Sequence, residues 1–388
     1  MSAIAERRRR RTVAMLAVTV LVVLAMPVLG YVGARAVLDS TGGTDAQADN
    51  LPEQPLPPTP TALYLSTDAT GALSSAAVFV LQPTMAGGSI VPLAVNADVG
   101  FFPEARQSLQ DVFAQGGVDA AVLAVESLTL VTINHVEVAD ESAVAGFLLP
   151  FAPLTVDLVA DVATASFADP NAQPLTAGTA VLDAGAAAKV LTEPAATSAA
   201  GQNGHRANTE ALWAAVSIAV GGGRPTGATG AVPANFNEFT AGLFAGPVPS
   251  RGIAVLPLEG DENPNGLDVV QIDRADAVFV FASIAPASMS GPSPGLLFRL
   301  EAPPGYDAAV KSTIEKLLFL GANIVSIDTN AAPRPDTVFL VPDEVNRDEA
   351  MQTNGIFGSV SFEDPTVRIG GVDLTVVLGT DYLARASS

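Results

Sequence analysis

Residues 12–34 are apolar and uncharged, and five arginines, Arg7 to Arg11, stand directly before them. At about 1.5 Å per residue, such a stretch covers roughly 35 Å as a helix, enough to cross a bilayer. Basic flanks stay on the cytoplasmic side. The pattern therefore predicts a cytoplasmic tail over 1–11 and a single transmembrane helix over 12–36, with the rest of the chain outside the cytoplasm. A second reading is a cleaved signal peptide with Ala34-Arg35-Ala36 at the cleavage site. The apolar region of such a signal is only about 7–15 residues long, and Arg35 suits the site poorly.

Residues 37–61 form a linker, its end stiffened by Pro52, Pro55, Pro57, Pro58 and Pro60. Globular patterning then begins. Short apolar runs predict strands over 62–67, 76–82, 90–95, 131–138 and 154–158. Helical spacing predicts helices over 106–115, 118–128 and 142–149, the first stopped by Gly116-Gly117. The alanine-rich stretch 178–191 reads as a helix, 195–203 as a loop, and 206–220 as a strong helix closed by Gly221-Gly222-Gly223. A short helix over 236–244 and strands over 253–258, 267–272 and 277–281 complete a first domain, 62–284. This alternation predicts an α/β layer structure. After a Pro- and Gly-rich hinge, 285–295, residues 296–388 read β-α-β-β-α-β, the order of a small two-layer α+β domain.

Composition sharpens this picture. Apolar residues make up 49% of the chain, which supports a sizeable core, and cysteine is absent. Stability must come from packing, and thiolate metal sites and cysteine nucleophiles are excluded. Beyond Arg35, 13 basic residues face 39 acids, a formal charge of −26. That field repels phosphate backbones and argues against a nucleic-acid partner.

Several segments resemble, in order, the LytR-CpsA-Psr family of bacterial envelope proteins. They are Phe113-Ala114-Gln115-Gly116-Gly117 before a helix, the strand Ile133-Asn134-His135-Val136-Glu137-Val138, the strand 154–158, and Leu256-Pro257-Leu258-Glu259. The anchor, linker and domain order also fits. The ending from Val372 to Tyr382, VDLTVVLGTDY, resembles the C-terminal domain often attached to that family. The resemblance implies a sheet sandwiched by helices. It also implies transfer of lipid-pyrophosphate-linked glycopolymers to peptidoglycan, with a polyprenyl-linked glycopolymer or peptidoglycan as partner and Mg²⁺ as cofactor if the protein is active.

That chemistry needs arginines around a pyrophosphate and a carboxylate for the metal. Where the family has a Pro-Arg-Asp segment, this chain reads Asn96-Ala97-Asp98, so Asp98 matches the carboxylate and Ala97 replaces the arginine. Leu175 to Val181 fits a helix start after which arginines are expected, but Asp183, Gly185 and Ala186 to Ala188 stand there instead. The family's Gly-Arg-x-x-Arg-Gln-Gln segment reads Gly204-His205-Arg206-Ala207-Asn208-Thr209-Glu210. Asp98 and Arg206 are thus the vestigial catalytic candidates, with Asp98 the candidate metal ligand and no other cofactor expected.

One arginine does not replace a cluster of bidentate contacts. The resemblance with these losses implies a pseudoenzyme, a non-catalytic binding or scaffolding protein of the cell envelope. Two alternatives stand. One is an active phosphotransferase with its phosphate site rebuilt from Arg106, Arg206 or Arg224. The other is a generic anchored interaction protein, which a fold lacking a central sheet between helices would favour. Trp213 reads as core, His135 as structural and His205 as exposed. The Gly-rich runs lack a phosphate-loop context.

Overall fold

The computed structural model describes residues 51–100, 102–163, 173–194, 196, 198–291 and 294–386. The predicted tail, the membrane helix and the first part of the linker lie outside the described residues. In chain order the first domain contains β1 (Glu53–Gln54), β2 (Thr61–Thr67), β3 (Leu73–Leu81), β4 (Gly88–Leu93), α1 (Leu109–Thr129), β5 (His135–Ala139), α2 (Glu141–Leu148), β6 (Leu154–Leu158) and β7 (Gly178–Leu182). It continues with α3 (Ala184–Thr192), α4 (Ala199–Val220), α5 (Phe236–Leu243), β8 (Val255–Pro257), β9 (Val270–Ile272) and α6 (Arg274–Ile284). The C-terminal domain contains β10 (Leu297–Glu301), α7 (Asp307–Phe319), β11 (Asn323–Asp328), β12 (Thr337–Leu340), α8 (Arg347–Gln352), α9 (Asn354–Phe357), β13 (Val360–Glu363), β14 (Arg368–Ile369), β15 (Leu374–Val377) and α10 (Thr380–Ala386).

A four-stranded sheet, ordered β4-β3-β2-β5, is the centre of the first domain. β2 and β3 are buried along their whole length. Alternate side chains feed two cores, as the two-residue strand period requires. Tyr64, Ala77, Phe79 and Leu81 pack with α2, α3, α4 and α5. Leu63, Leu65, Val78 and Val80 pack with α1 and α6. A sheet covered by helices on both faces is thus present, within a mixed α/β molecule.

The C-terminal sheet is ordered β11-β10-β15-β12-β13. β10 runs parallel to both β11 and β15, and β12 is antiparallel to β15. α7 and α10 pack on it through Val310, Ile314, Leu317 and Leu383. α6 joins the two domains. Its Ala277, Val280 and Phe281 enter the first domain's core, while Ala275, Val278 and Ala282 enter the C-terminal core. A helix apolar all round belongs between two packed layers.

Four sequence expectations change. Residues 178–182 form strand β7, paired antiparallel with β6, and only then does helix α3 begin at Ala184. Residues 277–281 belong to helix α6, because a run of buried apolar residues does not distinguish a strand from an enclosed helix. α4 starts at Ala199, inside the stretch expected to be a loop, where the Ser198 side chain caps it. The proline-rich end of the linker is docked. Arg368 and Gly370 donate backbone hydrogen bonds to Pro52 and Gln54, each 3.0 Å, as β1 pairs with β14.

Gly117 breaks the helical path inside α1 at φ 67°, ψ −155°, matching the expected stop. Among the described residues α1 alone is long and apolar enough to cross a membrane, and Ala121 and Val125 on one face of it pack in the core under the sheet.

Burial raises the Tyr64 phenol above its ordinary value of 10.0. Burial also raises Tyr382, against the lowering effects of its Thr313 hydrogen bond and Arg385. On alkaline titration the unfolded phenols ionise first, so stability is full below about pH 10 and falls above it. Tyr382→Phe should make that fall shallower in urea melts taken from pH 8 to 11. Phe281→Ala, which opens a cavity beneath the central sheet, should lower the unfolding free energy by about 3–5 kcal/mol in chemical denaturation.

Candidate functional site

Asp98 lies just past the end of β4, where the chain turns before α1. It is 7% exposed. Its Oδ1 accepts hydrogen bonds from the backbone N–H groups of Gly100 (3.1 Å) and Gln107 (3.0 Å). Its Oδ2 accepts from Arg106 Nη1 at 2.5 Å, and Arg106 Nε donates to the Glu262 carbonyl at 3.0 Å. Short polar side chains hold loops in this way. Here the carboxylate closes the loop 98–107 on itself and presents Ser108 to cap α1 in a capping box.

Arg206 lies on α4 and lines a neighbouring cleft together with Asn96, Ser75, His205 and Thr209. The cleft volume is only about 10 Å³, the space of a single water. Arg206 Nη1 and Thr209 Oγ1 are buried there with no hydrogen-bond partner. Arg206 Nε stands 4.0 Å from Glu210, whose side chain is 42% exposed. Burial raises the Glu210 carboxyl and Arg206 opposes that shift.

In the segment 204–210, the two positions at which the motif it resembles has arginine are His205 and Asn208. His205 is 5% exposed, correcting the expectation of an exposed side chain. Its Nε2 meets the Ser74 carbonyl at 2.9 Å and its Nδ1 meets Glu193 at 3.4 Å. Asn208 accepts from the N–H groups of Val159 (2.7 Å) and Ala160 (3.2 Å) and returns a bond to the Ala160 carbonyl. The segment matched to a helix start, Leu175 to Val181, leads into strand β7, and Asp183 caps α3. Glu193 is a site neighbour that sequence reasoning missed. An acid just after an alanine-rich helix carries no signal of its own.

The structure therefore brings Asp98 and Arg106 into contact and places Arg206 in the adjacent cleft. Arg224 is elsewhere, its guanidinium 5.6 Å from the Phe151 ring. Mg²⁺ asks for near-octahedral oxygen ligands. Asp98 offers one carboxylate already holding a guanidinium and two amides, and no group of three or more His, Asp or Glu side chains suited to a metal occurs among the described residues. The donor set does not fit the ion.

Between the sheet and α4, aromatic side chains pack against one another. The Tyr64 ring lies 4.9 Å from Phe147, 5.9 Å from Phe236 and 6.0 Å from Trp213. Trp213 is fully buried, as its sequence context predicts. Tyr64 Oη and Trp213 Nε1 are buried without partners.

No family model matches the chain, and no curated protein sequence matches it. Solved structures do show likeness. TagV of B. subtilis aligns over 57% of this chain and 94% of its own, at 15% identity and a TM-score of 0.41. The LytR-CPS2A-psr family protein YwtF (TagT), with bound octaprenyl pyrophosphate lipid, aligns over 57% and 86%, at 13% identity and 0.37. A transcriptional regulator from Enterococcus faecalis aligns over 77% and 94%, at 12% identity and 0.38. These neighbours include the family that the sequence motifs resemble. At such identities and TM-scores they bear on neither activity nor ligand.

Arg106→Ala would strand a buried carboxylate. It should destabilise the protein by about 3–5 kcal/mol in chemical denaturation, and adding Asp98→Asn should recover part of the loss.

Proposed function

We propose that this chain is a membrane-anchored, extracytoplasmic protein of bacterial cell-envelope assembly that binds or scaffolds rather than catalyses. Its N-terminus is cytoplasmic and both folded domains are outside. The observation that carries the non-catalytic reading is the closed state of the site. Asp98 is satisfied by Arg106 and two amides, and the cleft beside Arg206 has room for one water rather than a pyrophosphate. His205 and Asn208 satisfy neighbouring backbone groups where the motif calls for arginines.

Binding of a lipid-linked glycopolymer or peptidoglycan is supported by the order of the sequence motifs and by the two-domain plan. The active-transferase alternative keeps one specific observation: Arg106 stands on Asp98, and Arg206 Nη1 is unpartnered in the adjoining cleft. The reading as a generic interaction protein loses its discriminator, since a central sheet lies between helices.

The purified chain, given a polyprenyl-pyrophosphate-linked glycan with Mg²⁺, should release no phosphate-linked product above a protein-free control. Release that Asp98→Ala abolishes, while the variant remains folded by circular dichroism, would overturn the non-catalytic reading in favour of the transferase.

A further inference from the structure

Phe319, the last residue of α7, is 90% exposed, more than any other large apolar side chain among the described residues. Leu320 follows at 54%. With Ile356 they frame an open cleft of about 370 Å³, whose charged neighbours are one acid and one base, Glu315 and Lys316. Elsewhere α7 sends its apolar residues into the core, so this corner is an apolar surface without a partner in the fold.

The position of the corner is set by strand order. Leu297 at the start of β10 pairs with Asn323 at the start of β11, just past the turn that follows Phe319. Leu297 also exchanges hydrogen bonds with Asp373, 2.9 Å each way, at the start of β15. Asp373 in turn lines a cleft with Leu51, and Pro52 and Gln54 are fixed to β14. The chain arriving from the N-terminus therefore meets the fold at the same end of the C-terminal sheet that carries Phe319.

Fourteen residues, 37–50, separate Leu51 from the end of the expected anchor. Fully extended they reach at most about 50 Å.

We infer that Phe319 and Leu320 rest on the lipid surface that holds the anchor, so that the C-terminal domain is the membrane-proximal one. This rests on the anchored reading of residues 12–36. The chemistry is apolar insertion at the interface, as for amphipathic surfaces that dip between headgroups. Glu315 and Lys316 offset each other, while the acid excess of the surrounding surface disfavours anionic headgroups, so a zwitterionic bilayer is the surface that serves, with little effect of salt.

The chain contains no cysteine, so single labels are available. Full-length protein carrying Glu315→Cys beside the corner, or Asn330→Cys beyond the far end of β11, is labelled with an environment-sensitive dye. It is then reconstituted in phosphatidylcholine vesicles with a lipid-borne quencher. The expected result is flotation with the vesicles and quenching at position 315 roughly threefold stronger than at 330, unchanged by high salt and lost on adding Phe319→Asp.

Failure to float would refute the anchored reading and this inference together. Flotation with equal quenching at 315 and 330, or with quenching that survives Phe319→Asp, would overturn this inference alone. Burial of the 315 dye that grows with protein density but is untouched by the lipid quencher would assign the corner to a second copy of the chain and overturn it too.

Discussion

Strands β2 and β3 are buried on both faces, and much of the molecule depends on that constraint. A strand with no solvent face must be covered twice, so helices gather above and below it. On one side α2 to α5 supply an aromatic core around Tyr64, Phe79 and Trp213. On the other, α1 and α6 supply a smaller, mostly aliphatic one that includes Phe281. α6 is itself apolar all round, so covering the sheet leaves a second apolar face to be covered. The C-terminal domain does this with Leu300, Val310 and Phe298. Domain union is thus a continuation of core packing. The Lys311–Asp276 ion pair crosses the same seam, with the ammonium also 5.0 Å from the Phe279 ring.

The acid excess shapes the site in a related way. With 13 cations for 39 acids beyond Arg35, a buried carboxylate takes a large share of the positive charge nearby. Arg106 serves Asp98, whereas Arg206 only stands 4.0 Å from the half-exposed Glu210. An arginine paired inward is not free to clamp a phosphate. His205 and Asn208 are each bonded to neighbouring backbone groups. A buried site requires such backbone groups to be satisfied.

Much of the architecture was legible in local pattern. The strands at 62–67, 90–95 and 154–158 and the helix at 236–244 lie within a few residues of the observed elements, because periodicity and turn residues agree there. The pattern misled at 277–281 and 178–182. The first is an enclosed helix, whose apolar run has no period to read. The second is an exposed edge strand whose alanines and glycine imitate a helix. At the site, Asp98 and Arg206 were identifiable by type and order, but the Asp98–Arg106 contact depends on a ten-residue loop closing. Glu193 and the burial of His205 depend on α4 lying across β3.

Residue order alone was enough for every property rooted in local chemistry: an apolar segment behind five arginines, two globular regions, no thiols and a strong excess of acids. Folding settled the properties that depend on residues distant in the chain. It closed Asp98 with Arg106 and reduced the cleft at Arg206 to the volume of a water. It made α6 common to two cores, and it docked the proline-rich segment on the C-terminal domain. Composition dictates which groups must be buried or paired, because desolvation penalises them wherever they lie. Only the folded path dictates which partners they find, because those partners are brought together by packing rather than by nearness in sequence.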